Sequence, residues 1–294
     1  MINQDGYYKS ISTVFMKSIL LVIVAIIISA SAFSGCSNWK EKTKQACTGI
    51  LLEVSPSGKV LWSSSEFKDP RCLNKDREGN RLIADKYTKM FFEYSIDGDL
   101  NWVYHSFYPE YIDKNSDGIY LLVNNHYPGA VYGVDNAGNK LFEYIHPVNI
   151  RQALWINPEE AIIFTNNDDK LFILNANGKI SYIETGENIQ KASNLQIFNK
   201  STFLFNNTHS REIVSIDQAN ETTIIEDFRD IINVDNFLLL PDGNYVIADN
   251  ANKNICFLSP SRQILYTLRS IETKSLTLMP DGNIGIAGRH CNPK

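Results

Sequence analysis

Residues 50–62 read ILLEVSPSGKVLW, and forty residues on, positions 90–102 read MFFEYSIDGDLNW. Each segment is an apolar run, a polar turn holding a glycine, and a second apolar run. The pattern returns as AVYGVDNAGNKLF (130–142), LFILNANGKISY (171–182), EIVSIDQANETTI (212–224) and ICFLSPSRQILY (255–266). The turn positions Gly58, Gly98, Gly138, Gly178, Asn220 and Arg262 are spaced by 40, 40, 40, 42 and 42 residues. Six residues before each turn position stand Leu52, Phe92, Tyr132, Phe172, Val214 and Cys256; four after stand Trp62, Trp102, Phe142, Tyr182, Ile224 and Tyr266. Both columns are apolar throughout, as two strands of a half-buried hairpin require.

A second hairpin precedes most of these. It is clearest in FLLLPDGNYVIADN (237–250) and SLTLMPDGNIGIAGR (275–289), where Asp-Gly separates two alternating apolar runs; this dipeptide supplies the positive φ angles of a tight turn. Four strands per unit of about 40 residues, repeated six times, predict an all-β fold, a six-bladed β-propeller. The chain starts with an unpaired c–d hairpin (48–64) and finishes with an unpaired a–b hairpin (275–289), so the last blade is expected to be closed by C-terminal a–b and N-terminal c–d strands, leaving no free sheet edge. The expected propeller covers residues 47–291, with a tail at 292–294. RLIAD (81–85), YVIADN and the Gly-x-x-x-Trp of GKVLW and GDLNW resemble blade motifs of NHL-like and quinoprotein-like propellers. That resemblance implies fold, not chemistry; quinoprotein dehydrogenases have eight blades, which six repeats do not match.

Upstream lies one long apolar run, Ile19 to Ile28, followed by small residues up to Cys36. Ten apolar residues suit the core of a secretory signal and are too few to span a bilayer. Met16-Lys17 precedes the run, so the true start is read as either Met1 or Met16. Phe33-Ser34-Gly35-Cys36 resembles the lipobox of bacterial lipoproteins, with Phe33 departing from the usual Leu. The resemblance implies a signal at 1–35, a lipid-bearing Cys36 and a linker over 36–46; the alternative is an unlipidated secreted protein cut near the same place. Ser37, by resemblance to Gram-negative sorting rules, implies an outer-membrane lipoprotein facing the periplasm or the surface.

Four further cysteines follow in what is then an oxidising compartment. Cys47 stands just before the first strand and Cys291 just after the last, so ring closure brings them together and a disulfide is expected, against the alternative of two free thiols. Cys256 sits in an apolar column and is expected to be buried and inert, and Cys72 is not expected to reach it.

The chemistry is less plainly written. A net charge of −5, from 28 Lys+Arg and 33 Asp+Glu, lacks the basic field that a nucleic-acid phosphate backbone needs. All five histidines fall on the rim formed by the b–c and d–a loops. His126, His209 and His290 follow strand b of alternate blades and form a candidate zinc set, as in some six-bladed lyases of similar architecture; the alternative is solvated loop residues. On the opposite rim Asp113, Asn115 and Asp117, with Gly118, resemble the first half of a calcium loop, although the twelfth position is Asn124 instead of Glu; a hairpin chosen for its turn geometry is the alternative. No Gly-x-Ser-x-Gly, P-loop or His-Glu-x-x-His motif occurs. The expectation is a membrane-anchored scaffold that binds a protein, peptide or glycan; a metal-dependent lyase or hydrolase is the second reading.

Overall fold

The computed structural model describes residues 47–165, 170–175, 178–184, 192–199, 201–208, 210–217, 221–228 and 232–291. The signal, Cys36 and the linker, His209, Asn166, Asn167, Asn220 and the 292–294 tail therefore lie outside the described residues. Among the described residues no helix is long and apolar enough to cross a membrane.

The chain opens with β1 (Cys47–Val54) and β2 (Val60–Ser64). Blade 1 follows as β3 (Pro70–Lys75), β4 (Arg81–Asp85), β5 (Met90–Tyr94) and β6 (Leu100–His105); blade 2 as β7 (Pro109–Lys114), β8 (Tyr120–Asn124), β9 (Gly129–Val134) and β10 (Lys140–His146). Blade 3 comprises β11 (Ile150–Asn157), β12 (Glu160–Thr165), β13 (Lys170–Asn175) and β14 (Ile180–Glu184); blade 4, β15 (Ala192–Asn199), β16 (Thr202–Asn207), β17 (Glu212–Asp217) and β18 (Thr222–Asp227). Blade 5 is β19 (Asn236–Leu239), β20 (Tyr245–Asp249), β21 (Asn254–Leu258) and β22 (Ile264–Arg269). β23 (Ile271–Leu278) and β24 (Ile284–Cys291) then join β1 and β2 in the order β2-β1-β24-β23, the composite sixth blade. All six sheets are four-stranded and antiparallel. The innermost strands touch in succession from β3 through β7, β11, β15 and β19 to β23, and β23 touches β3. The six-bladed propeller and its closure are as the repeat predicts.

The reason for the fold is visible in strand b. RLIAD, YLLVN and YVIAD are buried at every position, because these strands pack against neighbouring blades on both faces; each fully buried aliphatic side chain contributes about 1.5–3 kcal/mol. The terminal Asp85 is buried too: its carboxylate accepts the backbone N–H of Asp69 at 2.9 Å and of Thr88 at 3.0 Å, holding the two loops of that rim together. Strand d is different. Trp62, Trp102 and Phe142 are half-buried, whereas Tyr182, Ile224 and Tyr266 are exposed, since strand d is the outer edge of each blade.

Among the described residues, Gly58, Gly98, Gly138 and Gly178 share one turn geometry, a positive φ and an N–H donated to the carbonyl three residues back. The Gly58 N–H donates to the Ser55 carbonyl at 2.9 Å, Gly58 has φ of 84°, and the ladder shifts between Glu53 and Val54; this is a type I turn closed by a residue in the left-handed region. Arg262 occupies the same place in blade 5 at φ 64°. A side chain pays a steric penalty there, offset in part by the Arg262 guanidinium, which pairs with Glu226 at 2.7 Å and donates to the Asp227 carbonyl at 3.0 Å.

β1 and β24 pair over their full length, from Cys47 opposite Cys291 to Val54 opposite Ile284. Cys47 and Cys291 form a disulfide with a Cα–Cα separation of 4.4 Å. Cys72 and Cys256 are free and buried, and burial pushes the Cys72 thiol up to about 12, which makes it inert near neutrality.

Candidate functional site

Every junction between blades carries a polar tie near the inner strands. Asn74 donates to the Ile112 carbonyl, Asp113 accepts the Trp155 N–H, and Gln152 accepts the Leu195 N–H. Gln196 bonds both backbone groups of Leu239, and Asn250 both those of Thr273. At the closing junction Glu53 of β1 binds Lys75 at 2.5 Å and Arg81 at 3.3 Å, both from blade 1. One blade further on the device repeats: Glu93 binds Lys114 at 2.8 Å and accepts from the Tyr120 hydroxyl at 2.7 Å. These buried charges are fully partnered, as burial demands. The signal was present in the repeat alignment, where Glu53 and Glu93 occupy one column and Lys75 and Lys114 another.

The axial channel is divided in two. On the side of the a–b turns lies a cavity of about 470 Å³ walled by all six inner strands, among them Lys75, Lys114, Trp155, Ile197, Leu238 and Leu278. The Trp155 indole N–H there is buried without a partner among the described residues. On the b–c and d–a side the mouth narrows to about 20 Å³, walled by Arg71, Glu110, Arg151, Asn194, Asn236 and Lys274. Tyr111 and Gln152 line both spaces and so form the partition. Burial pushes the Tyr111 hydroxyl well above its ordinary pKa, so it stays a neutral phenol.

A third hollow of about 440 Å³ lies on the same rim over the outer part of blade 2, walled by Phe107, Tyr108, Asn124, His126, Tyr132 and Ile145. Phe107 in its wall is 73% exposed, and on the b–c loops of blades 2 and 1 Tyr127 is 71% and Tyr87 60% exposed. Lys68 and Lys86 sit over the Tyr87 and Tyr108 rings at 4.3 and 5.4 Å. Asn124 Oδ1 and Asn125 Oδ1 are buried without hydrogen-bond partners among the described residues, in contrast to Asn206, which accepts the Asn194 N–H and donates to the Val234 carbonyl. Of these three, Asn206 alone has its side-chain oxygen engaged by a backbone N–H.

The residues singled out from sequence are distributed as follows. His126 stacks on Tyr108 at 4.6 Å between ring centroids and faces the rim hollow. His290 lies in β24, opposite Thr48 and Ile271. Neither lines the channel mouth, and among the described residues no group of three or more His, Cys, Asp or Glu side chains is placed to hold a metal. In the candidate calcium loop, Asp113 Oδ1 accepts from Asn74 at 3.1 Å and from the Lys114 N–H at 2.9 Å, while Oδ2 accepts the Trp155 N–H at 2.9 Å. Asn115 Oδ1 accepts the N–H groups of Asp117 and Ile119. These oxygens serve the blade junction and the turn. Burial raises the Asp113 pKa to about 6, hydrogen bonds from Trp155, Lys114 and Asn74 offsetting it only in part.

No protein-family model matches the sequence, and no curated protein matches it significantly. Solved structures do. A protein of unknown function from Bacteroides caccae aligns at 13% identity and TM-score 0.55, over 76% of this chain and 94% of that one. Virginiamycin B lyase from Staphylococcus aureus with quinupristin aligns at 12% identity and TM-score 0.59, over 84% and 96%. BamB from Moraxella catarrhalis aligns at 12% identity and TM-score 0.51, over 86% and 97%. At such identities these likenesses bear on the fold alone, a β-propeller, and the count of six blades rests on the six four-stranded sheets of this chain.

Proposed function

We propose that this protein is a non-enzymatic binding module of the bacterial cell envelope, tethered to the outer membrane through lipid on Cys36, with residues 37–46 as a short leash and a protein partner seated on the rim of blades 1 and 2. The observation that carries the reading is the set of exposed aromatics on one rim, Phe107 in the wall of the hollow and Tyr87 and Tyr127 on the b–c loops of blades 1 and 2. Large apolar side chains gathered on one rim and bordered by polar groups have the composition of an interface core, where aromatics carry most of the binding energy. Lys68 and Lys86 beside them favour a partner segment that joins apolar and acidic residues. The tether rests on the lipobox resemblance; two or more acyl chains at about 0.8 kcal/mol per buried methylene hold a protein stably on a bilayer.

Site-specific photocrosslinking from position 127 in intact envelopes, with the full chain, tests the rim. A discrete crosslinked protein is expected, lost in the Phe107→Ser variant and retained when exposed Ile264 on blade 5 is changed to Ser; crosslinks indifferent to Phe107, or a glycan in place of a protein, overturn the reading. Radiolabelled palmitate should enter the wild type and not Cys36→Ser. The second reading, a lyase or hydrolase holding zinc with His126, His209 and His290, draws on the place of His126 in the wall of a hollow. It requires one zinc per chain in the purified protein, lost in His126→Ala.

A further inference from the structure

The axial cavity on the side of the a–b turns has a two-sided wall. Blades 3, 4 and 6 contribute Trp155, Ile156, Ile197 and Leu278, all large, apolar and only partly buried. Blades 1 and 2 contribute the ammonium groups of Lys75 and Lys114. The wall amides are engaged elsewhere: Gln152 and Gln196 tie neighbouring blades, while Asn115 holds its own turn and donates to the Pro158 carbonyl. Asp113, the one carboxylate on the wall, already accepts from three N–H groups. An ammonium carries three donors. Lys75 gives two of them to Glu53 and Asp281, and Lys114 gives two to Glu93 and Asp76, so each lysine keeps one N–H in reserve.

From this we infer that the cavity is a receptor for a neutral small molecule with an apolar body and carbonyl or hydroxyl oxygens along one edge. Its volume of about 470 Å³ falls within the range of about 300–1,000 Å³ that small-molecule sites occupy. The body would lie against Trp155, Ile197 and Leu278, which gain from leaving water. The oxygens would take charge-assisted hydrogen bonds from the reserve donors of Lys75 and Lys114. Charge selects a neutral ligand. Counting Arg77 on the wall and Arg81 behind it, four cations stand against the five carboxylates of Glu53, Asp76, Glu93, Asp113 and Asp281, which leaves no positive surplus for an anion. A cationic ligand would meet only the engaged Asp113 carboxylate on the wall. Tyr111 and Gln152 close the inner end, so entry is from the a–b turns. The inference does not rest on the rim reading, and either can fail alone.

The test is an NMR titration of the full chain in lipid nanodiscs, with free probe measured by equilibrium dialysis. The probes are acetylnaphthalene, ethylnaphthalene, naphthoate and naphthylmethylammonium of one substitution pattern, which differ in the acceptor and the charge. Acetylnaphthalene is expected to bind saturably and shift the Trp155 indole resonance. Ethylnaphthalene, which lacks the oxygen, should bind about tenfold more weakly, and both charged probes more weakly than the ketone. Ile197→Asn removes part of the apolar wall and should weaken the ketone by about tenfold; Leu278→Asn should do the same from blade 6, and the melting temperature of each variant reports its folding. The inference is overturned if acetylnaphthalene fails to bind the wild type, if ethylnaphthalene binds equally, if either charged probe binds more tightly, or if a folded Ile197→Asn or Leu278→Asn variant keeps the wild-type affinity.

Discussion

The Asp113 carboxylate of blade 2 accepts the backbone N–H of Trp155 in blade 3 at 2.9 Å while its other oxygen holds Asn74 of blade 1 at 3.1 Å. One side chain thus spans three consecutive blades from a buried position where its charge is costly. The folded pKa of about 6 lies above the ordinary 3.8, so between these values the folded state binds more protons than the unfolded one. The stability this provides is complete below about pH 4 and is lost as pH rises through 6, an effect on the order of 2–3 kcal/mol. Glu272, held below its ordinary value chiefly by the hydrogen bond from Lys274, acts in the opposite sense at lower pH. Urea unfolding of wild type and Asp113→Asn from pH 4 to 7.5 separates the two: the decline between pH 4 and 6 should be present in the wild type and absent in the variant.

Removing Glu53 should be among the most damaging surface-distant changes in the molecule. The Glu53→Ala variant leaves buried Arg81 without its acid and Lys75 with Asp281 alone at 2.8 Å, a situation that costs on the order of 3 kcal/mol. Changing exposed Lys59 to Ala in the adjoining turn should cost under about 0.5 kcal/mol. Chemical denaturation midpoints decide it; equal midpoints would show that the junction is not held electrostatically.

Reducing the Cys47–Cys291 bond should lower stability without opening the ring. With a sequence separation of 244 between the two cysteines, the chain-entropy account gives up to about 5 kcal/mol, whereas the β1–β24 ladder that surrounds the bond persists. Cys47→Ser should therefore fold, melt at a lower temperature than wild type, and no longer respond to dithiothreitol.

Adding a methyl group at Gly49 should strike backbone. A Cβ there would lie 2.0 Å from the carbonyl oxygen of Phe67 and 2.7 Å from Pro70 Cδ, where blade 6 abuts the entry to blade 1. Gly49→Ala is expected to destabilise by about 1–3 kcal/mol, read as a shift in the urea midpoint. The same substitution at Gly282, where a Cβ meets nothing within 4 Å but φ is 81°, should cost only the left-handed backbone penalty of about 1 kcal/mol.

Metal removal gives a further check. With Asp113 and Asn115 oxygens engaged by protein N–H groups, treatment with EDTA should leave the melting temperature unchanged. A rise on adding calcium would show that these contacts yield to a cation.

What could be read in advance depended on whether the information is periodic. The 40-residue step, the two half-blades at the ends and the Cys47–Cys291 pair follow from order along the chain, because hydrophobic alternation and turn residues are local properties. The role of Asp113 and the meeting of Arg71 with Arg151 are not local. A carboxylate in an Asp-rich turn looks like a cation ligand until the Trp155 N–H, 42 residues away, is seen to occupy it. Similarly, Arg71, Arg151 and Lys274 share no motif; they meet only because each stands near the start of an inner strand. His126 follows strand b as the other two candidate zinc ligands do, yet ring stacking on Tyr108 holds it over the outer strands of its own blade.

The pairing of β1 with β24 also sets a timetable for biogenesis. A ribosome adding 5–20 residues per second needs on the order of 10–50 seconds to travel from Val54 to its partner Ile284. Throughout that interval the first hairpin waits with the β1 edge unpaired, and the sheet closes only when β24 has emerged.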